Sequence, residues 1–522
     1  MPDSAKTWIG YIAMCVGMFM AILDIQVVAS SLTNIQNALH VPADRISWIQ
    51  TGYLMAEVIA IPLTGMLTRA LSLRWLFVGA TLGFTLASIG CALCTSADPL
   101  IAIRVIQGFF GGMLIPAVFT SVFTILPRKY EILATTMAGV FAMVAPTLGP
   151  YVGGWLTQTY SWHWIFLVNV VPGLIVCGVV GFFIRVGKSD LGFLRRINYA
   201  SVALAAIFLA TLELLLKDAP PHHWSGVYIY TLLGVCAVSG ALAIYLCLNR
   251  PFPFVDLRRF VRLDFTVGCS LSFIAGVGLY GSTYMLAIFL GGVRQYTPIE
   301  IGEIIMVSGV VQLFAAPVAA LMESRIDGRI LIGVGYGLFA VGLLLNGFCT
   351  TQTDFDGLFW PQVIRGVAVM LCILPSTRLA MEGWSQTDAP DASGLFNLMR
   401  NLGGAIGIAL IDTILQQRTP GHATQLANRL QAGDPNAARA VGLPVEYFHG
   451  TAMGPVDPAM RAYVEPLIQR AALVDSFNEA WLIIGALFAL SLVAVFFVRG
   501  GKWTPGRGAE TEKPLAASDV AD

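Results

Sequence analysis

A chain of 522 residues that is 56% hydrophobic and 12% charged is not an ordinary soluble domain, in which about 25% of residues carry charge. Its 31 Lys and Arg balance its 31 Asp and Glu, so no overall charge points to nucleic acid or to an acidic substrate. What remains is an integral membrane protein. Its nine cysteines lie in or beside apolar runs and read as small packing residues.

A spanning helix needs about 20 apolar residues. The first candidate, 8–30, follows Lys6 and ends in VVASS, much as a signal peptide would, but Asp24 inside it and the many runs after it argue for a retained helix. Runs at 48–69, 74–96 and 99–126 follow. The fifth, 131–157, contains APTLGPYVGGWL (145–156), where Pro146, Gly149, Pro150, Gly153 and Gly154 crowd into a stretch that would weaken a helix in water. Further runs at 163–186, 197–216, 226–249, 265–290, 299–321, 329–349, 358–380, 393–416 and 477–499 make fourteen, so both ends share a side.

With the N-terminus inside, twenty Lys and Arg fall on that side and three, Arg45, Lys217 and Arg294, in the short outer loops. The positive-inside rule then places both termini in the cytoplasm. Residues 417–476 form the only long outer loop. LANRLQAGDPNAARAVGL (426–443) and PAMRAYVEPLIQRAALVDSFNEAW (458–481) within it have helical apolar spacing broken by turn signals. Such a loop is expected to cap a cavity or to meet a partner. The polar stretch 501–522 reads as a disordered cytoplasmic tail.

The chain repeats itself. AEVIAIPLTGML (56–67) aligns with VQLFAAPVAALM (311–322), superposing Pro62 on Pro317, and VIQG (105–108) matches VIRG (363–366). Spans 2 and 4 thus map onto spans 10 and 12. The expected organisation is a six-helix half over 1–190, two inserted helices over 191–255, and a second six-helix half over 256–500 that carries the long loop. Transporters are often built from such repeats, with the substrate site near the midplane between them.

Ionisable groups inside a span cost at least about 2.5 kcal/mol at the helix centre, so each is a candidate for function. Asp24 and Glu57 are the candidate proton carriers, because burial raises a carboxyl pKa and a nearby cation lowers it. Arg104 is the cation whose approach or withdrawal could switch them; a static buried pair of Asp24 with Arg104 is the plainer alternative. Arg365 and Arg400 are packing, counter-ion or substrate residues. Asp412, Glu213 and Glu303 lie near span ends, where a wet vestibule suits them. His163, His222 and His223 fall in outer loops, and no metal is assigned.

Three stretches carry a family resemblance: LD at 23 and 24, RVIQGFFGG (104–112) and APTLGPYVGG (145–154). The sequence resembles the major facilitator superfamily, specifically the fourteen-helix drug:proton antiporters of the EmrB/QacA type, and is closer to the EmrB branch. Looser likeness in FPFVDLRRF (252–260), WPQVIRG (360–366) and NLMRNLGGAIG (397–407) extends it to about residue 500.

The resemblance implies an all-α membrane fold that exports amphipathic or lipophilic compounds across the bacterial inner membrane by alternating access. It implies no cofactor beyond the proton gradient, and as partners a periplasmic adaptor protein and an outer-membrane channel, the three forming a tripartite efflux pump that confers antibiotic resistance. APTLGPYVGG looks like the antiporter signature. Its prolines are expected to bend the span, since neighbouring helices can satisfy the freed backbone groups. Its glycines are expected to let a helix of the other half approach closely and seal one side of a cavity.

Departures are visible as well. GMLTRALSLR (65–74) keeps Gly65 and Leu67 of the family's second-to-third helix loop but has Arg69 at the acidic position and Ser72 at the second glycine, so an acidic clamp is not expected there. In the first helix Gln26, Ala29 and Thr33 replace the family's usual threonine, asparagine and proline, which suggests a specialised pocket around Gln26.

Other readings stay open: export of one metabolite such as a siderophore or fatty acid, and uptake by proton symport. An enzyme is disfavoured by the lack of an HExxH helix, a GxSxG elbow and any cysteine–histidine cluster. The lack of a Walker loop also removes ATP as direct power. A sensor would need a folded signalling domain that neither terminus has room for.

Overall fold

The computed structural model describes residues 3–40, 43–185, 189–249, 253, 255–385, 388–448 and 458–493. Among these, thirteen helices are long and apolar enough to cross a bilayer, and a bent pair, Glu131–Pro146 with Leu148–Thr159, supplies a fourteenth. In chain order they are α1 (Asp3–Leu39), α2 (Trp48–Leu71), α3 (Leu73–Ala92), α4 (Ala97–Thr124), α5 (Glu131–Thr159) and α6 (Trp164–Phe183, in two pieces); then α7 (Tyr199–Asp218), α8 (Val227–Asn249), α9 (Leu263–Ile288), α10 (Pro298–Arg325), α11 (Gly328–Asn346), α12 (Phe355–Met381), α13 (Ala389–Gln431) and α14 (Pro458–Ser491). No strand occurs among the described residues. In lipid this is the expected solution, because a helix satisfies its backbone internally.

Local sequence sets the helix ends. Thr297 and Glu300 form a reciprocal capping box at the start of α10, with Pro298 in the first turn. The Asp327 side chain accepts from the Arg329 N–H at 2.9 Å and starts α11. Large apolar side chains left facing outward, such as Trp75, Phe182, Tyr245 and Phe314, are those a bilayer would solvate.

The repeat is visible as matched backbone contacts. In the first half a Cβ on Gly108 of α4 would overlap the Tyr53 carbonyl of α2; in the second, a Cβ on Gly366 of α12 would lie 2.6 Å from the Ser308 carbonyl of α10. Tyr53 corresponds to Ser308, and Gly108 to Gly366, under the same alignments that relate spans 2 to 10 and 4 to 12. Glycine is required at both positions because the two helix backbones touch.

The inserted helices pack on each other, with Gly240 of α8 against the Phe208 ring of α7, and α7 packs against α2. Lys217 sits 4.5 Å from the Trp48 ring, and Trp224, in the turn between α7 and α8, donates to Thr413 of α13 at 2.9 Å. The pair therefore flanks the seam where α2 meets α13.

Within 417–476 the helical spacing extends the spans themselves: α13 runs unbroken for 43 residues to Gln431, about 65 Å at 1.5 Å per residue against a bilayer core of about 30 Å. α14 likewise starts at Pro458, well before its apolar portion. The protruding ends enclose a small core of Leu426, Leu430, Val441, Phe448 and Ala472 around a short helix, Pro435–Val441. That apolar spacing is why the helices continue outside the membrane. The boundary 449–457 and the polar tail 501–522 lie outside the described residues.

Candidate functional site

The candidate proton-coupling residues converge where α1, α2, α3, α4 and α6 meet. Asp24 of α1 and Arg104 of α4 form an ion pair, Oδ2 to Nη1 at 2.5 Å, with neither side chain exposed. The second carboxylate oxygen accepts from Asn169 Nδ2 at 2.8 Å and from Gln107 Nε2 at 3.1 Å. Gln107 also accepts from Arg104 at 2.8 Å and donates to Ser88 Oγ at 2.9 Å. Arg104 Nε reaches the Ile49 carbonyl at 3.2 Å, and its guanidinium lies 4.2 Å from the Tyr53 ring.

A buried charge is tolerated when paired and hydrogen-bonded, and here five helices supply the partners. Sequence reasoning missed Gln107, Asn169 and Ser88. Two of them were legible, because Gln107 follows Arg104 by one turn and Asn169 interrupts the apolar run of α6 at the break between Trp164–Leu167 and Val170–Phe183.

Glu57 lies one turn beyond Tyr53 on α2 and is 3% exposed. It has no ion-pair partner among the described residues, and Glu213 of α7, Arg104 and Asp24 are all within electrostatic reach. Its backbone is fixed by Gly112 of α4, where a Cβ would lie 2.6 Å from the Glu57 carbonyl oxygen. The two candidate carboxyls therefore differ: Asp24 is locked in a network, whereas Glu57 is buried and forms no ion pair among the described residues.

The second half carries an altered copy. The offset that carries VIQG onto VIRG places Gln362 where Arg104 stands and Arg365 where Gln107 stands, and Ser282 of α9 takes the partner's place beside the cation. Arg365 donates to Ser282 Oγ at 3.0 Å and to Ser308 Oγ at 3.2 Å. The cation is kept and the carboxylate is replaced by a hydroxyl, so the carboxylate-bearing network belongs to the first half.

The signature in α5 bends the helix by 44° between its two pieces. Two of its glycines, Gly149 and Gly153, however, face the first half rather than the second. A Cβ on Gly149 would overlap Gln26 of α1, and one on Gly153 would lie 2.8 Å from the Val27 carbonyl oxygen; Gly154 is buried. Positions 149 and 153 share one helix face, and that face is spent on α1. Contact with the other half uses Tyr151, whose backbone lies 3.0 Å from where a Cβ on Gly302 of α10 would sit. Gln26, proposed from sequence as a pocket residue, is thus the α1 side of this seam. Gly149→Leu is expected to force α1 and α5 apart, an overpacking cost of about 1–3 kcal/mol or more, and to give an inactive or proton-leaky protein. Gly178→Leu, at a site with nothing within 4 Å, is the silent control; pH-dye leak assays on both read the difference.

At the end of the bundle bearing the N-terminus, Arg69 is not the loss of a clamp that the sequence suggested. Its Nη2 contacts both oxygens of Asp391 at the start of α13, at 2.6 and 2.8 Å. Arg259 joins the same carboxylate at 3.0 Å and Asp388 at 2.9 Å. Burial works against ionisation of Asp388, but the Ser385 hydroxyl and Arg259 outweigh it and hold its carboxyl below the usual range. Gly65 leaves room for Asp391, whose backbone lies 3.0 Å from where a Cβ would sit. The clamp is present with its polarity reversed, base from the first half and acid from the second. Ser72, at the family's second glycine, adopts φ +71°, a region glycine occupies without strain.

Arg400 and Asp412 fall elsewhere on α13. Arg400 is buried, donates to Asn397 Oδ1 and lies 5.5 Å from the Phe119 ring of α4, so it bridges the halves. Asp412 accepts from Tyr284 at 2.7 Å and lines a cavity of about 450 Å³ with Gln416, Thr419 and Leu473.

The description Major Facilitator Superfamily fits residues 14–408. The colistin resistance protein EmrB of Acinetobacter baumannii is 35% identical over 95% of this chain and 98% of its own length. The multidrug export protein EmrB of Escherichia coli is 28% identical over 95% and 96%, and the fatty acid resistance protein FarB of Neisseria gonorrhoeae 24% identical over 95% and 96%. Among solved structures, the human organic anion transporter MFSD10 superposes with a TM-score of 0.58 at 12% identity, covering 95% of this chain and 100% of that one. The proton:xylose symporter XylE gives 0.57 at 11%, covering 96% and 97%; at such identity these two speak for the fold alone. With its repeated halves, and with a family match that runs from the first helix into α13, the chain belongs to the Major Facilitator Superfamily and is a transporter of the EmrB type.

Proposed function

We propose that this protein exports amphipathic or lipophilic small molecules across the bacterial inner membrane in exchange for protons, by alternating access, with both termini in the cytoplasm. The observation that carries the coupling is Glu57, a buried carboxyl on α2 without an ion-pair partner among the described residues and within electrostatic reach of the Asp24–Arg104 pair. Such a group can take up and give back a proton without first breaking a salt bridge. The relatives named for colistin resistance and for multidrug export support the direction and the breadth. Export of a single lipophilic metabolite is the second reading, favoured by the relative named for fatty acid resistance.

Inverted vesicles given an imposed pH gradient and a panel of lipophilic compounds test this. Several compounds should accumulate only while the gradient lasts. Accumulation indifferent to the gradient contradicts the coupling, and accumulation of one compound alone favours the second reading.

On the same orientation the ends of α13 and α14 project into the periplasm, a surface suited to an adaptor protein that leads to an outer-membrane channel. Replacing residues 424–470 by a flexible linker should spare substrate-induced proton release by the purified protein and remove resistance in whole cells. Loss of the purified protein's activity would mean instead that the protrusion caps the cavity.

A further inference from the structure

Arg400 stands apart from the other buried arginines. Arg104 and Arg259 reach carboxylates, and Arg365 donates to two serines. Arg400 is 3% exposed, uses one nitrogen on the Asn397 side chain and leaves Nε and Nη1 buried with no hydrogen-bond partner. No carboxylate forms an ion pair with it among the described residues. Three N–H groups and a full positive charge are therefore uncompensated in the interior, where charges are ordinarily paired.

It lies at the interface between the halves. α9 and α13 touch backbone to backbone at this level: a Cβ on Gly403 would overlap the Phe273 carbonyl, and one on Gly276 the Arg400 carbonyl. Tyr280, one turn along α9, is half-buried, lies 3.4 Å from Asn401, and is within electrostatic reach of both Arg400 and Glu57. Phe119 approaches the guanidinium from the first half. A cation from one half and a carboxyl from the other thus both lie within electrostatic reach of Tyr280, with Phe119 beside the guanidinium.

We infer that Arg400 receives the negatively charged head of an amphipathic organic anion, a carboxylate on a lipophilic tail, with Phe119 and Tyr280 against the first atoms of that tail. A water molecule could satisfy the free N–H groups but not the charge. A neutral or cationic ligand would leave the guanidinium uncompensated, whereas an anionic oxygen supplies both acceptor and charge. The head seats at the Arg400 end, away from the carboxyl of Glu57. This rests on the exporter reading only for the direction of transport.

Calorimetric titration of the full chain in nanodiscs with dodecanoate and dodecanol, with partition into empty discs subtracted, tests it without any gradient. The wild type should bind dodecanoate at least about tenfold more tightly than dodecanol. Arg400→Gln should lose that preference, and Arg400→Lys should keep part of it. Arg400→Gln should also melt no lower than wild type, since it removes an unpaired buried charge. Equal binding of the two probes by wild type, a preference surviving in Arg400→Gln, or a marked drop in that variant's melting temperature overturns the inference; the last would make the arginine structural. Gradient-driven export with no preference sinks this inference alone, and a preference without export sinks only the exporter reading.

Discussion

Glu57→Gln is expected to abolish gradient-driven export while leaving a protein that purifies and melts like wild type. Glu57 forms no salt bridge among the described residues, so the amide loses the titrating proton and little else, a stability change within about 1 kcal/mol. Asp24→Asn should behave differently. It strands Arg104 beside two amides with no carboxylate, and breaking a buried pair from one side costs about 3–5 kcal/mol, so its loss of transport comes with a lower melting temperature. Asp24→Asn combined with Arg104→Gln should recover much of the stability and none of the transport. Wild-type rates in both Glu57→Gln and the double variant would remove proton coupling from this site.

The second large effect is expected at the reversed clamp. Arg69→Asp places a carboxylate against Asp391, turning an attraction at 2.6 Å into repulsion between groups that hold α2 to α13. Transport should fall at least about tenfold, the change in rate that 1.36 kcal/mol produces. Adding Asp391→Arg restores opposite charges across the seam and should recover part of the loss. Recovery stays partial because Arg259, which now shares Asp391 with Arg69, is left with Asp388 and the introduced carboxylate at 69. Transport rates and melting temperatures of the two single variants and the double form the cycle. If the double variant is no better than the worse single one, the pair does not act as a clamp.

The fourteen spans were legible because apolar length is a property of the sequence itself, and most of α1 to α14 fall on the expected runs with ends moved by a few residues. α1, which runs nine residues past its expected end, α13 and α14 are the exceptions. Hydropathy falls near residue 416 of α13, but helical spacing continues, so a window tuned to lipid stops while the helix does not. Asp24, Arg104 and Glu57 were legible because a charge in an apolar run is conspicuous. What each charge faces was not. Asp391 sits in the polar segment at the start of α13, 322 residues from Arg69, and nothing local marks it as the acid that replaces the missing one beside Gly65. The glycines of α5 show the same limit, since their spacing reveals a bare face and only packing reveals that α1 fills it.

The most direct test of proton-coupled export follows internal pH in proteoliposomes. With a pH-sensitive dye trapped inside and an exported compound from the vesicle panel supplied on one side, the wild-type protein should move protons against the substrate flow, and Glu57→Gln should move neither. Substrate flux in wild type without proton movement, or an undiminished proton flux in Glu57→Gln, would contradict the account.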